Sequence, residues 1–212
     1  MSNIFVMNDT KKIKRGKGRP KHFDRDAVLK LAMGVFCQNG YQGSSMAELS
    51  KAMGMNPPSI YHAFTDKEHL FIEVLDYYHA PYLKMVNELF ATDATIQARM
   101  KELFNVIEAH HSCNDTQGCL IVNSGIASSD ESTLIGKKIK KLHRINEDIL
   151  CDALTKAQDK GEISENANIQ KIACYINAVF QGAAVTARGQ HSCRAVKDIL
   201  DQGYKSFLSL VA

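Results

Sequence analysis

The sequence predicts an all-α fold. Three observations predict it. Apolar residues recur at helical spacing from Val28 nearly to the C-terminus, only four prolines fall in 212 residues, and alternating strand-like runs are scarce. Hydrophobic residues make up 45% and charged residues 23%, which suits a folded chain with a sizeable core.

Charge divides the chain. Residues 1–65 hold ten Lys/Arg against four Asp/Glu, and the remainder holds sixteen against nineteen. A basic head on a mildly acidic body points to a polyanionic partner at one end; a solubility tail is the plainer alternative. The six cysteines form no Cys-x-x-Cys pair, so zinc-finger spacing is absent. The apolar run Ile4–Met7 is too short for a signal peptide, and no stretch is long enough to span a membrane. The expected location is the cytoplasm, with free thiols. No motif calls for a cofactor, and no metal site is assigned.

The elements follow in order. Residues 1–21 form a basic arm whose segment Lys11–Lys21 carries seven cationic side chains; it cannot bury apolar area and is expected to be flexible. Val28, Leu31, Ala32, Val35 and Phe36 then mark one helix face, with Asp24 as its cap and Gly40 as its stop. Ser44 or Ser45 caps a short second helix, and Glu48 completes a capping box from Ser45. Met53-Gly54-Met55 is a turn. Asn56 before Pro57 and Pro58 is a cap followed by proline where amide donors are dispensable, so a third helix runs to about Phe64. Thr65 with Lys67-Glu68 opens a fourth, which Pro81 is expected to kink or divide. Ile96, Met100, Leu103 and Ile107 line another. Gly118–Ser129 is read as helix, though Cys119-Leu120-Ile121-Val122 also suits a strand. Three longer helices follow: one ending at Gly161, one ending near Gly189, and one from about Val196 to Val211.

Two short helices joined by a glycine turn make a helix-turn-helix. The second is about two turns long and must pack on its neighbours, which leaves its other face free for a major groove. The expected domains are the arm, a DNA-binding domain at 22–68, and a helical sensor and dimerisation domain at 69–212.

From Gly18-Arg19-Pro20 to about Leu75 the chain resembles the TetR/AcrR family of repressors. The resemblance lies in Phe36-Cys37-Gln38-Asn39-Gly40-Tyr41, Ser44-Ser45-Met46-Ala47-Glu48-Leu49, Met53-Gly54-Met55, and Ile60-Tyr61-His62-Ala63-Phe64 through Leu70. Ser44 stands where threonine is usual, Leu49-Ser50 replaces Ile-Ala, and Met55-Asn56 replaces Val-Ser; these swaps preserve packing and capping. The C-terminal part agrees only in length and helical character.

Candidate DNA-binding residues follow from helix geometry and from the resemblance. Pro57, Pro58 and Ser59 begin the recognition helix and face base edges; the prolines offer only apolar contact, so DNA shape should matter. Tyr61 and His62 stand where the family places phosphate contacts. Ser45 and Lys67 begin helices, which suits phosphate oxygens, and Arg19 is a candidate for a minor groove. Tyr41 and Phe64 are read as packing residues. In the family the last two helices form a four-helix dimer interface. Ala173, Ala178, Gly182, Ala183 and Ala184 allow such close approach, and a homodimer would set two heads roughly 34–36 Å apart on a palindromic double-stranded operator.

The sensor part says less. Tyr78, Phe104, Cys119, Asn123 and Tyr175 are candidates to line a pocket for an unknown small-molecule inducer, although each also suits a core. Cys119 in Gly118-Cys119-Leu120 resembles a segment in thiol-sensing members, and a helix start lowers thiol pKa. Cys113 with His110 or His111 has the chemistry of a soft-metal site such as copper. Lys137, Lys138, Lys140 and Lys141 with His143 and Arg144 read as a solvated face. The expectation is a non-enzymatic repressor released by an inducer. The alternatives are an architectural DNA-binding dimer without sensing, and an all-helical enzyme with a basic tail. The latter lacks a phosphate loop, a His-Glu-x-x-His and a nucleophile elbow.

Overall fold

The computed structural model describes residues 24–111, 118–127, 133–189 and 193–212. Arg19, the rest of the basic arm, and Cys113 lie outside the described residues. Every element among the described residues is a helix. They are α1 (Arg25–Gly43), α2 (Met46–Met53), α3 (Pro57–Phe64), α4 (Lys67–Phe90), α5 (Ile96–His111), α6 (Leu120–Ala127), α7 (Leu134–Asp159), α8 (Ile169–Arg188) and α9 (Cys193–Val211). Of the Cys119–Val122 run, open to a strand reading, Leu120–Val122 start a helix and Cys119 directly precedes it.

Local chemistry sets the boundaries. Asp24 accepts from the amides of Asp26 and Ala27 at 3.1 and 3.2 Å and starts α1. Gly40, at φ 69°, breaks the helical geometry of α1 where the sequence places a stop. Asn168 caps α8 by accepting from Lys171 at 3.0 Å. Two expectations need correction. Thr65 does not open α4: at φ 68° it closes α3, its amide donating to the Tyr61 carbonyl at 2.9 Å. Asp66 is the cap instead, accepting from His69 N–H at 2.8 Å. Pro81 does not divide α4 either; it sits on the exposed side of one continuous helix.

Two apolar clusters hold the helices. One joins Phe36 of α1, Leu49 of α2, Ile60 and Phe64 of α3, and Leu70, Phe71, Val74 and Leu75 of α4. It also takes in Leu120 and Ile121 of α6 and Ile135, Ile139 and Leu142 of α7. The other joins the far end of α4 to α5, the second half of α7, α8 and α9. Thus α4 and α7 run through both. α9 lies close on α8: a Cβ at Gly203 would stand 2.6 Å from Val179 Cγ1 and 3.1 Å from Phe104 Cε1, so glycine is required by space.

The small residues of α8 do not form one outward face. Ala173, Ala183 and Ala184 are at most 1% exposed, buried in the chain's own core. Ala178 and Gly182 are exposed. They share a face with Tyr175 and Val185, which are 37% and 44% exposed, because spacings of three and four keep to one side of a helix.

Candidate nucleic-acid interface

The α2–turn–α3 unit is built from short-range contacts. Ser45 Oγ accepts from Glu48 N–H at 3.1 Å, and Glu48 accepts from Ser45 N–H at 2.8 Å, so both partners of the capping box are satisfied. Gly54 adopts φ 62° and closes α2, and the Met55 amide donates back to the Ser50 carbonyl at 3.2 Å. Asn56 Oδ1 accepts from Ser59 N–H at 2.9 Å and fixes the start of α3, with Pro57 and Pro58 in its first turn.

The two faces of α3 then have opposite fates. Ile60 and Phe64 are 0% and 2% exposed, pressed into the core of α1, α2 and α4. Pro57, Pro58, Ser59, Tyr61 and His62 are all exposed. Tyr61 is 48% exposed, and among the described residues its hydroxyl has no hydrogen-bond partner. The candidate DNA-facing residues of α3 therefore share one open surface.

Ser45 and Lys67 stand at neighbouring helix starts. The Ser45 hydroxyl already contacts the Glu48 carboxylate at 2.8 Å. Lys67 Nζ lies 4.4 Å from the Tyr41 ring centroid. Partial burial lowers the Lys67 pKa, and the nearby Glu48 charge acts against that shift. Tyr41 packs as expected, 5.1 Å from the Phe71 ring.

Sequence reasoning missed Arg25. Its guanidinium donates to Glu73 of α4 at 2.9 and 2.6 Å and to the Ala63 carbonyl of α3 at 3.3 Å, and it covers the Phe64 ring at 4.5 Å. One side chain thus ties the start of α1 to the end of α3 and to α4. Its partners lie 38 and 48 residues away, so no local pattern marks it.

The candidate pocket residues do not converge on one place. Tyr78 and Cys119 meet: the Tyr78 hydroxyl is within hydrogen-bonding reach of the Cys119 thiol and lies 3.3 Å from His110 Nε2. Burial raises the Cys119 pKa and outweighs the helix-start amides that lower it, so the expectation of a lowered thiol is corrected. Cys37 of α1 stands near and is pushed up to about 11, again chiefly by burial. Asn123, 8% exposed, lines a cavity beside α1. Phe104 instead lies in the second cluster, 4.8 Å from the Phe180 ring and 5.6 Å from the Tyr204 ring. Tyr175 lies on the outer face of α8. Among the described residues no three His, Cys, Asp or Glu side chains cluster as metal ligands, and no helix is long and apolar enough to cross a membrane.

Comparison with known proteins bears on this geometry. Residues 28–74 match the family model for bacterial regulatory proteins of the tetR family, and residues 97–202 match the tetracyclin repressor-like C-terminal domain. The chain is 34% identical over 186 residues to the HTH-type transcriptional repressor ComR of Escherichia coli K12, covering 87% of this chain and 89% of that one. It is 32% identical over 122 residues to the repressor BdcR of the same organism, covering 57% and 61%. Among solved structures, a cysteine mutant of the TetR family regulator CifR, complexed with 26-base-pair double-strand operator DNA, superposes with a TM-score of 0.81. That match is at 25% identity and covers 89% of this chain and 99% of that one.

Proposed function

Since the chain belongs to the TetR family of bacterial regulatory proteins, we propose that it is a transcriptional repressor that binds a palindromic operator as a homodimer and leaves it when a small molecule binds the sensor helices. It is a regulator of this family and not an enzyme. The observation that carries the DNA-binding reading is α3. Its inner face is sealed by Ile60 and Phe64, while Pro57, Pro58, Ser59, Tyr61 and His62 stand open together. Proline side chains donate no hydrogen bonds, so base readout rests on Ser59 and on apolar contact, and operator shape supplies the rest.

One head makes few contacts, and useful specificity needs two. The exposed face of α8 at Tyr175, Ala178, Gly182 and Val185, with Leu208 and Leu210 of α9 at 37% and 47% exposure, supports pairing through these helices. An inducer then acts by favouring a dimer whose heads no longer match successive major grooves. The small-molecule route is preferred to direct thiol attack, because a partly buried thiol with a raised pKa holds little thiolate at neutral pH.

The test is binding of labelled DNA from upstream of the gene, against scrambled DNA, across a salt series. The expected outcome is selective binding with a salt slope set by the phosphates neutralised. Equal affinity for both duplexes would instead identify an architectural binder.

A further inference from the structure

A cavity of about 260 Å³ opens where the DNA-binding helices meet the sensor helices. Its apolar walls include Phe36 of α1, Leu120 of α6 and Ile135 of α7, which are 0%, 3% and 6% exposed. Asn123 of α6 and Arg188 at the end of α8 add polar groups. Arg188 is exposed at the cavity mouth and forms no ion pair among the described residues.

The backbone is shaped to bring those polar groups together. Gly118 has φ +75°, and a Cβ there would stand 2.8 Å from the Ala184 carbonyl oxygen, 3.1 Å from Arg188 Cβ and 3.2 Å from Asn123 Nδ2. Glycine alone satisfies both the left-handed backbone and the close approach. It lets the start of α6 lie against the last turn of α8, with Asn123 and Arg188 on either side. α7 also begins at the cavity, where Thr133 caps it by accepting from Gly136 N–H at 3.0 Å. Two helix N-termini and a guanidinium therefore favour negative charge. Glu68 is the carboxylate among the lining residues; it belongs to α4 and acts on Tyr41.

We propose that this joint cavity binds a small organic monocarboxylate. The carboxylate meets the Arg188 guanidinium, and the apolar body lies against Phe36, Leu120 and Ile135. At about 260 Å³ the cavity is smaller than the roughly 300–1,000 Å³ of drug-sized pockets, so the guest is a compact acid. The coupling to operator release rests on the repressor reading: a guest here contacts α1 of the head and α6, α7 and α8 of the sensor at once.

The experiment uses the full chain with benzoate, benzamide, and straight-chain acids of three to eight carbons. Thermal melts and calorimetry read binding, and operator anisotropy reads release. The expected result is saturable stabilisation by benzoate or one of the acids, and none by benzamide. Arg188→Gln, at an exposed helix end that leaves folding intact, should weaken acid binding by at least about tenfold. Failure of every acid to bind, or equal binding by wild type and Arg188→Gln, overturns the site. Acid binding that follows Arg188 while operator affinity stays fixed upholds the site and refutes its role in release. Absence of any operator binding refutes the repressor reading instead.

Discussion

Removing a single oxygen from α3 tests the orientation of the whole head. Tyr61 is 48% exposed and its hydroxyl is not engaged within the described chain, so Tyr61→Phe takes no bond away from the fold. In the proposed DNA complex the same hydroxyl is expected to donate to a phosphate. Such a bond to a charged acceptor contributes about 1.5 kcal/mol or more net after exchange with water. Two heads double it to about 3 kcal/mol, or roughly 150-fold in Kd. Anisotropy with labelled operator measures the loss, and a thermal melt of the same sample should show no change. The salt slope should also hold, since tyrosine is neutral, whereas Lys67→Gln should reduce it by about 0.9 for each phosphate left without its cation. Ile60→Ala is the opposite control. It truncates a side chain with 0% exposure, costs about 2–5 kcal/mol of stability, and lowers the melting temperature with the affinity. Wild-type affinity in Tyr61→Phe, or a melting loss equal to that of Ile60→Ala, would show that this face of α3 does not meet DNA.

Three further outcomes follow from local chemistry. Asn56→Ala removes the acceptor of the 2.9 Å bond from Ser59 N–H and should cost about 0.5–2 kcal/mol, read as a lower denaturant midpoint with unchanged m. Gly203→Ala places a Cβ 2.6 Å from Val179 Cγ1 and should cost about 1–3 kcal/mol by overpacking, with partial rescue from Val179→Ala. His111, 6% exposed, is lowered by burial to about 4, while the unfolded imidazole titrates near its ordinary value of about 6.5. Between those values only the unfolded chain binds the proton, so stability should fall as pH drops from about 6.5 to about 4 and level off below. The loss is at most about 3 kcal/mol, and His111→Gln should flatten that part of the pH–melting curve.

What the sequence reveals well is what depends on neighbours in the chain. The Ser45–Glu48 box, the Gly54 turn and the Asn56-Pro57-Pro58 start are each complete within a few residues, and each stands in the fold as read. The slip from Asp66 to Thr65 at the next cap is of the same kind, since either side chain suits that position until the backbone at Thr65 turns left-handed. What the sequence hides depends on contacts across the fold. Arg25 looks like a surface cation until Glu73 and Ala63 are brought to it. Ala173, Ala183 and Ala184 look like an interface stripe until the packing of α8 turns them inward. Cys119 looks activated by its helix start until burial under Tyr78 and its neighbours outweighs the local amides.

The division into head and sensor is itself a statement about sequence more than about packing. The apolar cluster that anchors Ile60 and Phe64 of the reading helix continues through Phe36 into Leu120 and Ile121 of α6 and Ile135 of α7. This apolar contact runs beside the cavity that Asn123 and Arg188 line. Close-packed interiors transmit displacement because a shifted side chain leaves either a clash or a void, and both are costly. A guest that alters the setting of α6 against α1 should therefore be felt at α2, which packs on α1 and in turn on α3. A purely architectural binder would need no such continuity, since a sensor half used only for pairing could be tethered to its head by α4 alone. Cutting that continuity with Leu120→Ala, which replaces a side chain only 3% exposed, should thus weaken the response to an inducer more than it weakens operator affinity without one. An unchanged inducer response alongside an ordinary cavity loss in stability would show that the signal travels along α4.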